Sequence, residues 1–513
     1  MDAVKNYSDK PANPREIKHI CIVTAVISFI LSGSQVLLDP VINSDGILYI
    51  STAYHLQNDD WQTASQQYNW LFFPLIIAQL SSLTGLSLEY SAYILNAFFT
   101  AITCTSFVLI IKEFGGKDKT TLWFASLIIL CFPNLNEYRN LIIRDHGYWA
   151  FYLLSCYFFI KACQQTSIKS ILLLLTSSSM ATLFRVEGLL FTLLLPVFTV
   201  IVHSSSLNNK TKLTVQALAA LLVITLVYIA SGDQQVKGFT KTSQLEHALE
   251  KPFEKIEQSI EITKSYIEDL SPQGFSNKYA PTILACTFIL ILITEVTSAI
   301  SPFYALMLLM GFLKQNDFQK HPFFIPWIYL ILINVIILCG FLASRFFLAG
   351  RYPIPLALTL LTPLPFIAKC LYQKYKDKGF TSKQNKIIKL ALSFFILLSI
   401  DGVVSTGASK TYLKEAGLWI SSLQTDQELS LYSNNTFVSY YATGQNKNRV
   451  KEDSNKTVLN KISRGKLKEF DLLAIQISRK NTDEKATFIE SLKTQPLKTF
   501  NNKKGDSVLI FRP

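Results

Sequence analysis

The chain has 513 residues, of which 50% are hydrophobic and only 17% are charged, and its mean hydropathy is +0.28. Soluble domains carry about 25% charged residues, so this composition excludes an ordinary soluble globular protein. The formal net charge of +13 does not indicate nucleic acid binding. The Lys/Arg clusters lie between apolar runs, where such clusters orient spans and contact anionic headgroups.

The N-terminal part of the chain predicts its orientation in a membrane. Residues 1–19 are polar and basic, and we expect them to be cytoplasmic and to precede a retained signal anchor at about 20–38. Beyond this anchor no lysine or arginine occurs before Lys112, and by the positive-inside rule such an interval lies outside. The interval also carries the acidic residues Asp39, Asp45, Asp59, Asp60 and Glu89.

Two arrangements are open for the next apolar runs. The run at 70–84 is short and aromatic, and a longer run at 90–111 ends in a lysine cluster. If both runs crossed, that cluster would lie outside, against the positive-inside rule. If only 90–111 crosses, the cluster is inside and 70–84 lies along the outer surface as an amphipathic or re-entrant helix. We favour the second arrangement, which makes 39–89 a first outer loop with juxtamembrane helices.

The apolar runs predict an all-α polytopic membrane protein with about 11–13 transmembrane helices in residues 20–404. The segment 281–313 is longer than one span needs and is interrupted at Ser301-Pro302, which predicts one span plus a half-helix. A large outer loop at 232–280 has an apolar helical face that predicts a surface helix. The other predicted spans lie at about 120–133, 147–162, 170–184, 188–203, 213–231, 323–341, 353–372 and 389–404.

The composition changes near residue 405, and residues 405–513 predict a small soluble α/β domain on the outer side. Helical patterns cover 409–423 and 483–493, and short β-rich pieces lie at 429–432, 470–477 and 506–511. About a hundred residues are enough for a core of its own.

Asp45 lies just beyond the first predicted span, in Asn43-Ser44-Asp45-Gly46. A carboxylate at this depth could act as a general base or hold a divalent cation. The same tetrapeptide suits an interfacial turn, so the sequence leaves both interpretations open.

Three later clusters of charged residues fall on the same predicted side as Asp45. Arginines suit phosphate recognition because their planar fork binds two oxygens at once, with headgroup snorkelling as the alternative. Arg185 and Glu187 lie between two apolar runs that almost no loop separates, and charges in such a position indicate either a structural ion pair or a functional site. Together the clusters predict one outward cavity with carboxylates and guanidinium groups. They are Arg139, Arg144, Asp145 and His146; Arg185 and Glu187; and Arg345, Arg351 and Tyr352.

Other chemistries find no support in the sequence. It contains no Walker loop and no GxGxxG, HExxH or GxSxG pattern. The eight cysteines all lie in apolar segments and none forms a CxxC pair, which is typical of small buried hydrophobic residues.

The first outer loop resembles that of the polytopic GT-C glycosyltransferases, in particular the bacterial aminoarabinose transferase and the protein O-mannosyltransferases. The resemblance rests on Ser44 to Ala53, where an acidic residue precedes a helix bearing tyrosine and alanine, and on the acidic-Trp element Asp59-Asp60-Trp61. Arg139 to Asp145 is similar to the family's second outer loop, and Arg351-Tyr352-Pro353 is similar to the start of a later span.

Two positions depart from the family's pattern. Gly46 follows Asp45 where relatives often have a second acid, and no lysine precedes Pro74 in the juxtamembrane helix. Both departures bear on whether the chain needs a metal and on which residues would contact a phosphate.

The resemblance implies a glycosyltransferase that moves a sugar from a polyprenyl-phosphate donor to an envelope acceptor, which is a lipid, a glycan or a protein. It implies Asp45 as the catalytic base. Whether a metal is bound stays open at this point; if one is, Mg²⁺ or Mn²⁺ on Asp45 and Asp145 is expected. The donor phosphate is expected to contact Arg351, Tyr352, Arg144 and Arg139. Support for the acceptor or a metal is expected from Asp145, His146, Glu187, Arg185, Asp59 and Asp60.

The same resemblance implies a multi-pass protein of the bacterial inner membrane, with a cytoplasmic N-terminus and a periplasmic C-terminal domain. The expected partners are the lipid-linked donor, membrane lipids and the acceptor, and no nucleic acid. A membrane transporter or lipid flippase is an alternative, although transporters usually show internal repeats and none is visible here. A non-catalytic scaffold for envelope assembly is a further alternative, in which the outer carboxylates would be dispensable.

Overall fold

A computed structural model describes residues 10–164, 167–202, 251–270, 277–314, 324–377, 379, 381–403, 410–423, 429–444, 453–481 and 484–513. The predicted span at 213–231 and parts of the predicted outer loop, 232–250 and 271–276, lie outside the described residues. The chain divides into two compact units. The helical unit comprises Met1–Ser32, Asn96–Arg139 and Arg144–Val403, and the mixed unit comprises Gly33–Leu95, Asn140–Ile143 and Val404–Pro513.

Helices occupy most of the described chain up to Val403. The first ten are α1 (Pro14–Leu38), α2 (Ser44–Gln57), α3 (Trp61–Gln67), α4 (Phe72–Thr84), α5 (Leu88–Glu113), α6 (Lys119–Leu130), α7 (Pro133–Glu137), α8 (Asp145–Gln164), α9 (Ile168–Phe184) and α10 (Gly188–Val202). They are followed by α11 (Lys251–Leu270), α12 (Ala280–Ile300), α13 (Pro302–Lys314), α14 (Phe324–Arg345), α15 (Ile354–Leu360), α16 (Leu364–Lys376) and α17 (Ser382–Val403).

Five segments of the described residues are long and apolar enough to cross a membrane, and shorter apolar helices accompany them. The chain is therefore a multi-pass membrane protein, and the predicted fold class is confirmed. The predicted number of spans stays a prediction. The five are Pro14–Leu38, Leu88–Glu113, Ala280–Ile300, Phe324–Arg345 and Ile354–Lys376.

Proline accounts for two interruptions in the apolar segments. The predicted break within 281–313 is confirmed: α12 ends at Ile300, Ser301 has a φ of 75°, and α13 begins at Pro302. The predicted span at 353–372 matches the spanning segment Ile354–Lys376, within which α15 and α16 are separated at Pro363. Proline has no N–H to donate and clashes with the preceding turn, so it favours the start of a helix.

In the mixed unit, α2 begins at a side-chain clasp. Asn43 Oδ1 accepts the backbone N–H of Ile142 at 2.7 Å, and Asn43 Nδ2 donates to the Ile142 carbonyl at 3.2 Å. A Cβ on Gly46 would lie 2.8 Å from Asn43 Oδ1 and 3.0 Å from the Ile142 Cβ. Close packing therefore requires glycine directly after Asp45, which explains one departure from the GT-C pattern.

The C-terminal part of the mixed unit is an α/β fold with a four-stranded sheet in the order β1-β2-β4-β3. β1 and β2 are parallel, and β4 is antiparallel to both β2 and β3. Val458, Leu473, Ile475, Phe488 and Leu509 form its buried core. Its elements are α18 (Thr411–Ser422), β1 (Leu431–Ser433), α19 (Thr436–Thr443), α20 (Asn455–Ser463), β2 (Leu472–Ile477), α21 (Glu484–Leu492), β3 (Lys498–Asn501) and β4 (Ser507–Phe511).

Candidate functional site

The link between α9 and α10 places an arginine and a carboxylate in the interior of the helical unit. Arg185 ends α9 with extended backbone, and Gly188 starts α10 three residues later. A Cβ on Gly188 would lie 2.4 Å from the Thr182 backbone nitrogen, so this tight link requires glycine. The charges of Arg185 and Glu187 are therefore held between two apolar helices.

Arg185 is bound by carboxylates on two sides. Its Nη2 donates to Glu187 Oε1 at 2.8 Å, and its Nε donates to Glu187 Oε2 at 3.3 Å. Its Nη1 donates to Asp145 Oδ1. The side chains of Arg185, Asp145 and Glu187 are 6%, 2% and 10% exposed. Two-pronged bonds of this kind fix the guanidinium plane as well as neutralising it.

Asp145 reaches Arg185 because α8 and α9 approach closely. Gly147 lies in the first turn of α8, and a Cβ there would meet the Phe184 ring at 2.2 Å. The absence of a side chain at Gly147 therefore brings the start of α8 against the end of α9.

Aromatic rings enclose the Arg185 guanidinium. Its central carbon lies 4.6 Å from the Tyr352 ring centroid, 5.7 Å from that of Phe341 and 5.8 Å from that of Tyr148. Phe341 and Tyr352 stack on each other at 4.7 Å. Such contacts stabilise a cation and exclude water from the ion pairs.

A second cation lies at the accessible side of this cluster. Arg351 Nη1 is 3.9 Å from Asp145 Oδ2, and the Arg351 side chain is 26% exposed. Arg144 also acts electrostatically on both Asp145 and Glu187. Besides Arg185, the positive charges of Arg351 and Arg144 therefore act on Asp145. The planar fork of the partly exposed Arg351 can bind two oxygens of an anion such as a phosphate.

The cluster encloses a cavity of only about 10 Å³, roughly the space of a single water. A sugar or phosphate ligand would have to contact the cluster from the Arg351 side. The cavity is lined by Asp145, Tyr148, Trp149, Arg185, Glu187, Asn334, Ile337, Leu338, Phe341, Arg351, Tyr352 and Pro355.

The structure thus brings together Asp145, Arg185, Glu187, Arg351 and Tyr352 among the residues that the sequence singled out. It adds Tyr148, Trp149, Asn334 and Phe341, which the sequence analysis missed. The sequence contains one signal that could have found such residues. An aromatic residue one helical turn away from a charged residue lies on the same helix face, as Phe341 and Arg345 do on α14.

Arg139 does not belong to the cluster, and its predicted role in phosphate binding is corrected. It is 1% exposed. Its Nη1 donates to the Ser28 carbonyl and to the Ser28 and Ser32 hydroxyls, each at 2.9 Å, and its Nε donates to Asn136 Oδ1 at 2.7 Å. These bonds occupy the guanidinium and tie the α7 region to α1.

His146 is likewise a packing residue, so its predicted support of an acceptor or metal is corrected. Its ring is fully buried. Nε2 lies 2.9 Å from the Tyr138 carbonyl oxygen and Nδ1 lies 3.0 Å from Thr100 Oγ1. A carbonyl can only accept, so Nε2 carries the proton and both ring nitrogens are occupied.

Three predicted carboxylates belong to the mixed unit. Asp45 lies in the first turn of α2 and is partly exposed. Asp59 follows α2 in a left-handed turn with a φ of 58°. Asp60 caps α3 by accepting the Thr63 N–H at 3.1 Å, and it lies 3.1 Å from His55 Nδ1. Hydrogen bonds from Thr63 lower the pKa of Asp60. The structure therefore gives Asp60 a capping role.

A divalent cation does not fit the cluster in the helical unit. Asp145 and Glu187 already accept from Arg185, and a further cation would meet three guanidinium groups. Across the described part of the chain, no group of three or more His, Cys, Asp and Glu side chains could hold a metal. The predicted use of Asp145 as a metal ligand is therefore corrected, and a metal held by Asp45 stays a prediction.

The chain is similar to two crystal structures of an oligosaccharyltransferase from Archaeoglobus fulgidus. One is a complex with Zn and sulfate, with 14% identity and a TM-score of 0.46, and the match covers 85% of this chain and 58% of that one. The other is an apo form, with 13% identity and a TM-score of 0.46, and the match covers 88% of this chain and 62% of that one. The chain thus spans about three fifths of the length of these structures. No family model and no curated protein matches it, so the GT-C resemblance rests on the sequence motifs quoted above.

Proposed function

We propose that this chain is a glycosyltransferase of the GT-C kind, which moves a sugar from a polyprenyl-phosphate donor to an acceptor of the bacterial envelope. The observation that carries the proposal is the buried cluster of Arg185, Asp145 and Glu187, with Arg351 at its accessible side. The partly exposed Arg351 guanidinium, the aromatic walls and the place of the cluster among apolar helices suit the phosphate of a lipid-linked substrate.

In this proposal the arginines divide their work. Arg351 and Tyr352 contact the donor phosphate, with Arg144 adding positive charge. Arg185 does not reach the substrate but holds Asp145 in place, and Asp145 in turn orients the Arg351 guanidinium. Preorganised charge of this kind stabilises the phosphate as it leaves, without reorganisation during the reaction.

Asp45 is the proposed base. It lies in the first turn of α2 and is partly exposed. Asp45 takes the proton of an acceptor hydroxyl, the hydroxyl oxygen bonds to the anomeric carbon, and the bond from that carbon to the phosphate oxygen breaks. Polyprenyl phosphate leaves with the electron pair, so no redox partner is needed.

The experiment measures transfer from a short polyprenyl-phosphate sugar to envelope lipids in proteoliposomes that contain the full chain. We expect Asp45→Asn to lower kcat by about 10²–10⁴-fold and Arg351→Ala mainly to raise the donor KM. Asp377→Asn is the matched control, since Asp377 is exposed at the end of α16 and belongs to no predicted site, and it should leave both constants unchanged. Transfer by Asp45→Asn at the wild-type rate would remove Asp45 from its role. Ion-driven uptake without transfer would favour a transporter.

The proposed location is the bacterial inner membrane, with the N-terminus cytoplasmic and the C-terminal domain periplasmic. It rests on the absence of lysine and arginine between Lys18 and Lys112. Protease accessibility of residues 405–513 in spheroplasts, compared with inverted vesicles, measures the orientation. Cleavage confined to inverted vesicles would reverse it.

A further inference from the structure

The mixed unit contains a second polar cleft at the carboxyl ends of the parallel strands β1 and β2. Its volume is about 380 Å³, within the range of roughly 300–1,000 Å³ for small-molecule sites. The lining residues that the structure describes are all polar or charged: five side-chain amides, two carboxylates, two serines and one lysine. In α/β sheets, ligands bind outside the carboxyl ends of parallel strands.

The floor of the cleft is built around Asn434, which follows β1 and is only 6% exposed. Asn434 Oδ1 accepts the Gln476 N–H at 2.7 Å, and Asn434 Nδ2 donates to the Gln476 carbonyl at 3.2 Å. This side chain therefore continues the β1–β2 ladder by one position. The same Nδ2 lies 3.0 Å from Asn455 Oδ1, so floor and wall are joined.

The walls hold their carboxylates in defined orientations. Glu484 accepts from Asn455 Nδ2 at 2.5 Å and from Asn481 Nδ2 at 3.1 Å. On the other side, Asp453 Oδ2 accepts the Tyr432 hydroxyl at 2.6 Å and the Lys461 ammonium. An ionised carboxylate has about four acceptor positions, and Glu484 uses two of them in these bonds, so it retains capacity for a ligand hydroxyl.

The charge of the cleft is close to balanced. Asp453 and Glu484 are offset by Lys456 and by the N-terminal ends of α20 and α21, which begin at Asn455 and Glu484. A strongly charged ligand of either sign therefore has no net attraction. Amides offer both donors and acceptors, and hydroxyl groups need both.

We propose that this cleft binds a neutral carbohydrate. Mixed donors and acceptors on a rigid floor, with polar and charged side chains around it, match a ring of hydroxyl groups better than a phosphate, a metal or an apolar chain. The inference does not depend on the proposed transferase function, because none of its residues belongs to the cluster around Arg185.

Saturation-transfer difference NMR on the full chain in nanodiscs tests this site, with maltotriose, mannotriose and chitotriose as probes. We expect a saturable signal from at least one saccharide. Asn455→Ala and Asn481→Ala should each weaken that binding about 5-fold, the effect of losing one hydrogen bond. Asn460→Ala is the matched control, because Asn460 is exposed on the same helix outside the cleft, and it should bind as the wild type does.

Four results would overturn the proposal. The first is no saturable signal from any of the three saccharides. The second is equal binding by the wild type and both cleft variants; Asn481→Ala keeps this outcome interpretable if Asn455→Ala fails to fold, since Asn481 is exposed. The third is competition by inorganic phosphate, which would make the cleft an anion site. Arg351→Ala should retain the signal, whereas its loss would assign the saccharide to the membrane site instead.

Discussion

Removing Arg185 should destabilise the helical unit by an amount that its burial sets. Arg185→Met deletes the bonds to Asp145 and Glu187 and leaves two carboxylates that are only 2% and 10% exposed. Breaking a buried ion pair by removing one partner costs about 3–5 kcal/mol, and we expect a loss of that size in the free energy of unfolding. Glu187→Gln keeps one ion pair and the side-chain shape. Its expected cost is that of a charge-assisted hydrogen bond, about 1.5–3 kcal/mol.

Replacing the three buried charges with apolar side chains should restore stability without restoring activity. The triple variant Asp145→Leu, Arg185→Met and Glu187→Met keeps the partly exposed Arg144 and Arg351, and replacing buried ion pairs with apolar residues of similar volume is often close to neutral in stability. Transfer should still be lost, because Asp145 no longer orients Arg351. This separation distinguishes a functional cluster from one that only stabilises the fold.

The assay is denaturant-induced unfolding in mild detergent, followed by the fluorescence of tryptophans such as Trp149 in the cluster wall. The control is Lys264→Met on α11, which breaks an ion pair with Glu261 whose side chains are 38% and 65% exposed. Exposed pairs contribute about 0–1 kcal/mol. The reasoning is refuted if Arg185→Met unfolds at the midpoint of Lys264→Met. It is equally refuted if the triple variant is no more stable than Arg185→Met alone.

Three further predictions concern other parts of the chain. Gly46→Asp should abolish transfer by displacing Asp45, since a Cβ at position 46 would meet neighbouring atoms at 2.8 Å. The control Gly33→Ala has open space around it and should be active. Transfer by Gly46→Asp would contradict the close packing at the Asn43 clasp. Burial raises the pKa of Asp118, but hydrogen bonds to the start of α6 and a lysine ion pair outweigh it and leave that pKa lowered. The contribution of the Asp118 carboxylate to stability is then complete above about pH 4, the pKa of an unfolded aspartate. It is lost as the pH falls through the lower pKa of the folded state. The melting curves of Asp118→Asn and of the wild type should therefore converge in acid. A cysteine replacing Asn58 should react with an impermeant maleimide in spheroplasts, and protection there would contradict the proposed orientation.

The limits of the sequence are visible in the segment from Arg139 to His146. Both arginines lie in one stretch between two apolar runs, and both look equally suited to a phosphate. Only tertiary structure shows that Arg139 is surrounded by hydroxyl and carbonyl oxygens of α1 and α7, whereas Arg144 lies near the carboxylates. Periodicity predicts which helices exist, but it does not predict which neighbour a long side chain meets.

In the C-terminal α/β part, a local side-chain cap decides the secondary structure against the propensity of the residues. The segment Thr436–Thr443 is rich in aromatic and β-branched residues, which favour strands, yet it forms α19. Asn435 Oδ1 accepts the N–H groups of Phe437 at 3.0 Å and Val438 at 3.2 Å, and a cap of this kind starts a helix. The longer pieces at 470–477 and 506–511 were predicted because their continuous apolar runs suit buried strands.

The main change that the structure makes concerns the roles of the carboxylates. From the sequence, Asp145 and Glu187 are expected to support the acceptor or a metal, but in the structure both are committed to Arg185 at hydrogen-bond distance. A carboxylate held by a buried guanidinium has little tendency to take up a proton. The cluster can therefore supply charge and position to a phosphate, but not a base for an acceptor hydroxyl. That base has to come from outside the cluster, and the resemblance to GT-C enzymes points to Asp45. The proposed mechanism thus predicts a division that kinetics can measure: loss of Asp45 should act on kcat, and loss of Arg351 on the donor KM.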